Sequence, residues 1–233
     1  MTRIKLLIPI ILLSLCATEI SYAQNTIASE SMRARDLDRM QSAGQLNNNK
    51  LSNAVGSPFI KESFELVKLD KFGDRLYQAR YNANLGEMQI KRENDTIALN
   101  NSEDMTITFT SDSKTYKTYN YINKEGISKQ GFLVVLKETE SLTLLQEEIV
   151  KFYEKKPAVS SYAKEKPAEY KRANDVYYYK QDNKVSLLPQ KRKDFLKSFP
   201  AHSDKLKTYI KKNRINLKDH EDLITLFEYI NTL

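Results

Sequence analysis

Apolar and polar positions alternate along most of the stretch from residue 59 to residue 188. Met88 and Ile90 are interleaved with Glu87, Gln89 and Lys91, and Met105, Ile107 and Phe109 with Thr106, Thr108 and Thr110. A period of two sends successive side chains to opposite faces, so these runs predict strands with one wet face. Looser alternation predicts further strands at 64–69, 76–81, 96–99, 115–122, 176–180 and 185–188. The run Phe-Leu-Val-Val-Leu at 132–136 is apolar throughout and predicts a strand covered on both faces, near the middle of a sheet. The short spacers favour antiparallel neighbours.

Beyond Pro189 the period lengthens to that of a helix, through Phe195, Leu196 and Phe199, then Leu206, Tyr209 and Ile210, then Leu223, Ile224, Phe227 and Ile230. Asp219, three residues before Asp222, suits a helix start, and two or three short helices are expected. Residues 29–43 carry Leu37 and Met40 at helical spacing and stop at Gly44, before an Asn-rich linker at 45–57. The stretch 141–157 is ambiguous, because Leu142, Leu145, Ile149 and Phe152 also fit one helical face ended by Pro157. Residues 157–167 hold two lysines and two prolines and suit an extended loop or edge.

The N-terminus has the three parts of a secretory signal: Arg3 and Lys5, an apolar run at 6–15, and Ser21-Tyr22-Ala23 as a small-x-small cleavage site. Lipidation at Cys16 needs a small residue before the cysteine, and Leu15 stands there, so cleavage after Ala23 is the favoured expectation. The apolar run is about half the roughly 20 residues a spanning helix needs, and the mature chain offers no longer one. The expected organisation is a signal peptide at 1–23, a helix and linker at 24–58, a β-rich domain at 59–188 and a basic helical segment at 189–233. Cys16 is the single cysteine, so a chain starting at Gln24 holds no disulfide, thiol nucleophile or thiolate metal site. The expected location is the periplasm or the exterior.

Charge sharpens this picture. Between Pro189 and His220 ten Lys or Arg face three Asp, a local net of +7, which equals the formal net charge of the whole chain. Lys191, Arg192, Lys193, Lys197, Lys207, Lys211, Lys212 and Arg214 are therefore the candidate surface for an anionic envelope component or an envelope protein. The competing reading is a solvated helix face in a lysine-rich chain. Nucleic acid is not an expected partner, since export and the lack of a nucleic-acid motif both speak against it. With only six glycines, turns needing positive φ must draw on Asn and Asp, at Asn94-Asp95, Asn100-Asn101 and Asp182-Asn183.

Catalytic patterns are weak, and no catalytic, cofactor-binding or metal-binding residue is assigned. His202 and His220 are the only histidines, and neither sits in a ligand spacing. Ser161 to Lys164 matches S-x-x-K, in which the amine activates the hydroxyl one helical turn away, but Ser111 to Lys114 matches equally well and no S-D-N or K-T-G follows. Nucleotide loops, zinc-protease motifs and calcium loops do not occur, and no cofactor is expected. Tyr116, Tyr119 and Tyr121, with Tyr177, Tyr178 and Tyr179, place rings on strands, where they either stack on sugars or line the core boundary.

Four pieces, GSPFIKESF (56–64), ARYNANLGEMQIK (79–91), VYYYKQDNKVSLLPQKRKDFLKSF (176–199) and YIKKNRINLKDHEDLITLFEYIN (209–231), resemble a family of small exported envelope proteins of Bacteroidota with no assigned activity. The resemblance implies an envelope location, a sheet followed by C-terminal helices, and a strand rather than a helix at 142–152. It also implies an acidic residue where this chain has Gly86, which argues against a paired-carboxylate site at Glu87. The expected fold is α+β: a curled, mostly antiparallel sheet of about eight to ten strands, open or closed into a barrel, followed by short C-terminal helices. The expected function is non-enzymatic binding of an envelope component through the basic helical face. The alternatives are a carrier enclosing a small lipid or glycan between 132–136 and the Tyr-rich strands, and an envelope hydrolase.

Overall fold

Among the described residues twelve strands and three α-helices follow the predicted order, strands first and helices last. The computed structural model describes residues 54–93, 95–101, 104–158 and 164–233, all within one compact unit, 42–233. The signal, the 29–43 segment and Ser161 lie outside the described residues.

Ten strands make one sheet: β1 (Glu65–Leu69), β2 (Leu76–Asn82), β3 (Glu87–Arg92), β4 (Asp95–Ala98), β5 (Thr106–Phe109), β6 (Thr115–Ile122), β7 (Ser128–Glu138), β8 (Leu142–Glu147), β11 (Val176–Gln181) and β12 (Lys184–Leu187). Their order is β12-β11-β8-β7-β6-β5-β1-β2-β3-β4, and every ladder is antiparallel. β9 (Val150–Tyr153) and β10 (Glu169–Arg172) form a separate antiparallel pair inserted between β8 and β11. The sheet is open. It curls enough to bring β12 alongside β6, but no ladder joins them.

Register puts the predicted apolar sets on shared faces. Val67 pairs with Tyr77 on one side and Phe109 on the other, Ile107 with Tyr116, and Tyr116 with Val134. As 132–136 predicts, β7 is an interior strand with Phe132, Leu133 and Val134 buried. A bulge between Val135 and Lys137 lets Leu136 pack against the helices.

The ambiguous stretch at 142–152 is two strands, β8 and β9, as the family resemblance implies. Every residue of β8 is buried. Leu142 and Leu144 meet the helices while Leu145 joins Leu133, Val176 and Tyr178 in a second cluster. β8 is covered on both faces, and helical periodicity in the sequence is the by-product of apolar residues on both.

The helices are α1 (Arg192–Ser198), α2 (Ser203–Lys212) and α3 (His220–Ile230). Phe195, Phe199, Leu206, Ile210, Leu223, Leu226, Phe227 and Ile230 form their buried stripe, over Leu142, Leu144 and Tyr177 of the sheet. The side chain of Asp219 caps α3 by accepting from the Glu221 and Asp222 amides. Among the described residues other than glycine, positive φ falls to Glu93, Ser113, Asp182 and Arg214. Only Asp182 is among the expected turn residues, and Arg214 closes α2 where a glycine is the usual choice.

Candidate functional site

Two adjacent carboxylates at the end of β8 are buried, Glu147 and Glu148. A buried charge is tolerated only when it is paired and hydrogen-bonded. Glu147 accepts from the hydroxyls of Tyr121 at 3.0 Å and Tyr178 at 2.8 Å, and from Lys129 Nζ at 3.3 Å. Glu148 accepts from Lys114 Nζ at 2.8 Å to each oxygen, from the Tyr116 hydroxyl at 2.5 Å and from Arg172 at 3.3 Å. Arg172 also donates to the Ile149 carbonyl at 3.0 Å and pairs with Asp175, which accepts from Gln146 Nε2 at 2.5 Å. Three acids thus meet three bases.

Four phenols surround these acids. Burial, and then the neighbouring glutamates, push the hydroxyls of Tyr81, Tyr116, Tyr121 and Tyr178 well above the ordinary tyrosine range. They therefore stay protonated, and Tyr116, Tyr121 and Tyr178 donate to the two glutamates. The rings of Tyr81 and Tyr116 lie 4.8 Å apart, those of Tyr121 and Tyr178 5.0 Å apart. Each of the two glutamates has three donor residues, and the cavity beside Tyr81, Lys114 and Tyr116 measures about 10 Å³, room for about one water. The arrangement is chemically a clamp: side chains of β6, β7, β10 and β11 are tied to the end of β8. Ser111 and Lys114, which match S-x-x-K, turn apart here, the hydroxyl to Glu65 and the amine to Glu148.

The eight candidate cations stand on the helical segment, all exposed. Lys193 and Lys197 lie opposite the buried Phe195 on α1. On α2, with Leu206 and Ile210 buried, Lys207 and Lys211 share one flank while Lys205 and Lys212 share the other. The candidates are therefore distributed around the helices rather than gathered on one face. Acidic partners are commoner in the β-region, although Lys91, Lys151, Lys156, Lys164, Lys166, Lys180 and Lys184 there have none among the described residues. Lys61, Lys68, Lys114, Lys117, Lys129, Lys137, Lys171 and Arg172 of the β-region all have acidic partners within 4 Å. Of the ten cations at 191–218 only Lys197 has one among the described residues, Asp194 at 3.5 Å.

Lys191 belongs to a further grouping. A groove of about 680 Å³ runs where β11 and β12 meet the start of α1, rimmed by Lys124, Lys191 and Lys218 and floored in part by Val176, Tyr177 and Leu188. Lys124 escapes the sequence reading because it lies in a hairpin loop far from the basic segment, and Lys218, at the segment's margin, is counted in its charge but not among the eight candidates. Glu147 and Glu148 could have been found: in a strand, Gln146-Glu147-Glu148 cannot all face water.

Among the described residues no group of three or more His, Cys, Asp or Glu side chains could hold a metal ion, and no helix is long and apolar enough to cross a membrane. No protein-family model, curated protein or solved structure matches the chain.

Proposed function

We propose that this chain is an exported, non-enzymatic envelope protein that binds an anionic envelope component through its cationic helical end. The observation that carries the reading is the density of unpaired cations at the helical end: of the ten at 191–218, only Lys197 has an acidic partner among the described residues, which leaves the rest open to a partner. The signal-like N-terminus and the resemblance to exported Bacteroidota proteins support the location. The carrier reading draws less support, because the space between 132–136 and the Tyr-rich strands is filled by Leu133, Leu145, Tyr121 and Tyr178.

Changing Lys191, Arg192, Lys193, Lys211 and Lys212 to Glu tests the proposal. The variant should elute from an anionic matrix, or from isolated envelope fractions, at much lower salt than the parent. Unchanged retention and salt dependence would discard the helical surface.

A further inference from the structure

Apolar side chains left in water on a rigid loop ask for an explanation. Residues 123–127 join β6 to β7 and are pinned by Asn123, whose amide donates to the Ile127 carbonyl at 2.9 Å. Its Oδ1 accepts from the Glu125 amide at 3.1 Å and the Ile127 amide at 2.8 Å. Gly126 supplies the left-handed turn at φ 82°. The loop so fixed holds Ile122 and Ile127 outward, 61% and 60% exposed. Lys124, at its tip, rims the same groove as Leu187, which is 42% exposed. The curl that carries β12 alongside β6 is what assembles this edge from distant parts of the chain.

The charges around it are not internally balanced. Lys191 and Lys218 have no acidic partner among the described residues, and Lys124 has only Glu125, at 4.0 Å. The two acids on the rim are engaged elsewhere, Asp175 by Arg172 and Gln146, and Asp194 by Lys197. Ile122 pairs with Ser128, so Ile122 and Ile127 leave opposite sides of the hairpin end. That end, entering a bilayer tip first, puts both in the acyl boundary while Lys124, Lys191 and Lys218 of the adjoining groove meet the phosphates. A soluble organic anion in the groove would leave Ile122 and Ile127 wet.

We infer that this edge, made of Ile122, Lys124, Ile127, Leu187, Lys191 and Lys218, docks the protein on an anionic phospholipid membrane. The inference rests on the proposed anion-binding role and names its site and partner.

Co-sedimentation of the full chain with phosphatidylglycerol and with phosphatidylcholine vesicles tests it, with far-UV circular dichroism and melting as folding controls. The parent should bind the anionic vesicles and not the zwitterionic ones. Joint replacement Lys124→Glu, Lys191→Glu and Lys218→Glu should weaken binding by about tenfold or more, while Lys193→Glu, Lys197→Glu, Lys207→Glu and Lys211→Glu together cost far less. Ile122→Ser with Ile127→Ser should leave a residual binding that salt abolishes. If the second lysine set matters as much as the first, this edge is wrong and the broader helical reading survives. Retention on heparin without vesicle binding would likewise overturn the membrane partner alone, and loss of both would remove the broader reading too. Should a Glu variant fail to fold, the Gln versions at the same three lysines carry the comparison.

Discussion

Glu148 gathers three side chains, as many as Glu147 does. Replacing it with Ala strands Lys114 and Tyr116 and leaves Arg172 with only Asp175 and the Ile149 carbonyl. Loss of one partner from a fully buried pair costs about 3–5 kcal/mol. Lys114 and Arg172 keep 25% and 41% of their side-chain exposure, so solvent screens part of that. The expected loss for Glu148→Ala is about 2 kcal/mol, read as a lowered urea midpoint; a midpoint within error of the parent would deny the clamp. At this scale the sequence was a partial guide. Candidate cations are visible as letters, but whether a lysine is paired depends on what the fold puts beside it. Lys114 and Lys191 look alike in the sequence; one amine is held by Glu148 and the other has no acid nearby. Asp182 is readable as a left-handed turn residue, whereas Glu93, Ser113 and Arg214 take that conformation with nothing in their side chains to announce it.

Elements were the most legible level, because periodicity reports directly on which side of a strand or helix is covered. The strand at 105–110, for example, follows from its alternating Met, Ile and Phe, and β5 holds Ile107 and Phe109 buried. β8 is the instructive exception: burial on both faces erases the alternation, and a helical stripe then appears among its apolar residues. Capping is also local enough to read. The Asp219 side chain accepts from two amides that the first turn of α3 leaves without helical partners. Asp219→Ala should therefore destabilise the protein by about 1 kcal/mol, and Asp219→Ser should recover most of it. Because Leu223, Leu226 and Phe227 of α3 are buried in the interface with the sheet, the loss should register in the global melting transition rather than as local fraying. A melting temperature equal to the parent's would show that α3 does not need this cap.

For the whole molecule, the buried phenols couple stability to alkaline pH. Tyr81, Tyr116, Tyr121 and Tyr178 have folded-state values raised above the ordinary 10.0, so above that pH the unfolded chain releases protons that the folded one retains. The unfolded state then binds fewer protons and stability falls as pH rises, by about 1.4 kcal/mol per pH unit for each such phenol. Below pH 10 the contribution is fully present. Melting followed by phenolate absorbance from pH 9 to 11 should show a falling midpoint, with part of the phenolate signal appearing only on unfolding; ionisation of every tyrosine before unfolding would refute it. Fold class and the order of strands before helices could be read from the chain, but strand order and openness could not, since they depend on pairings between residues far apart in sequence. That order has a kinetic meaning. β1 to β4 follow one another as hairpins, as do β5 to β8, and β11 with β12 makes a third such block. Only two seams, β1 with β5 and β8 with β11, join segments that are not successive in the chain. Closing the chain between Leu69 and Thr106, and between Glu147 and Val176, carries the loop entropy that hairpins avoid. Those two seams, rather than the long ladders within each block, are where the search for the native fold is slow, and until they close each block leaves an unpaired strand edge open to other chains.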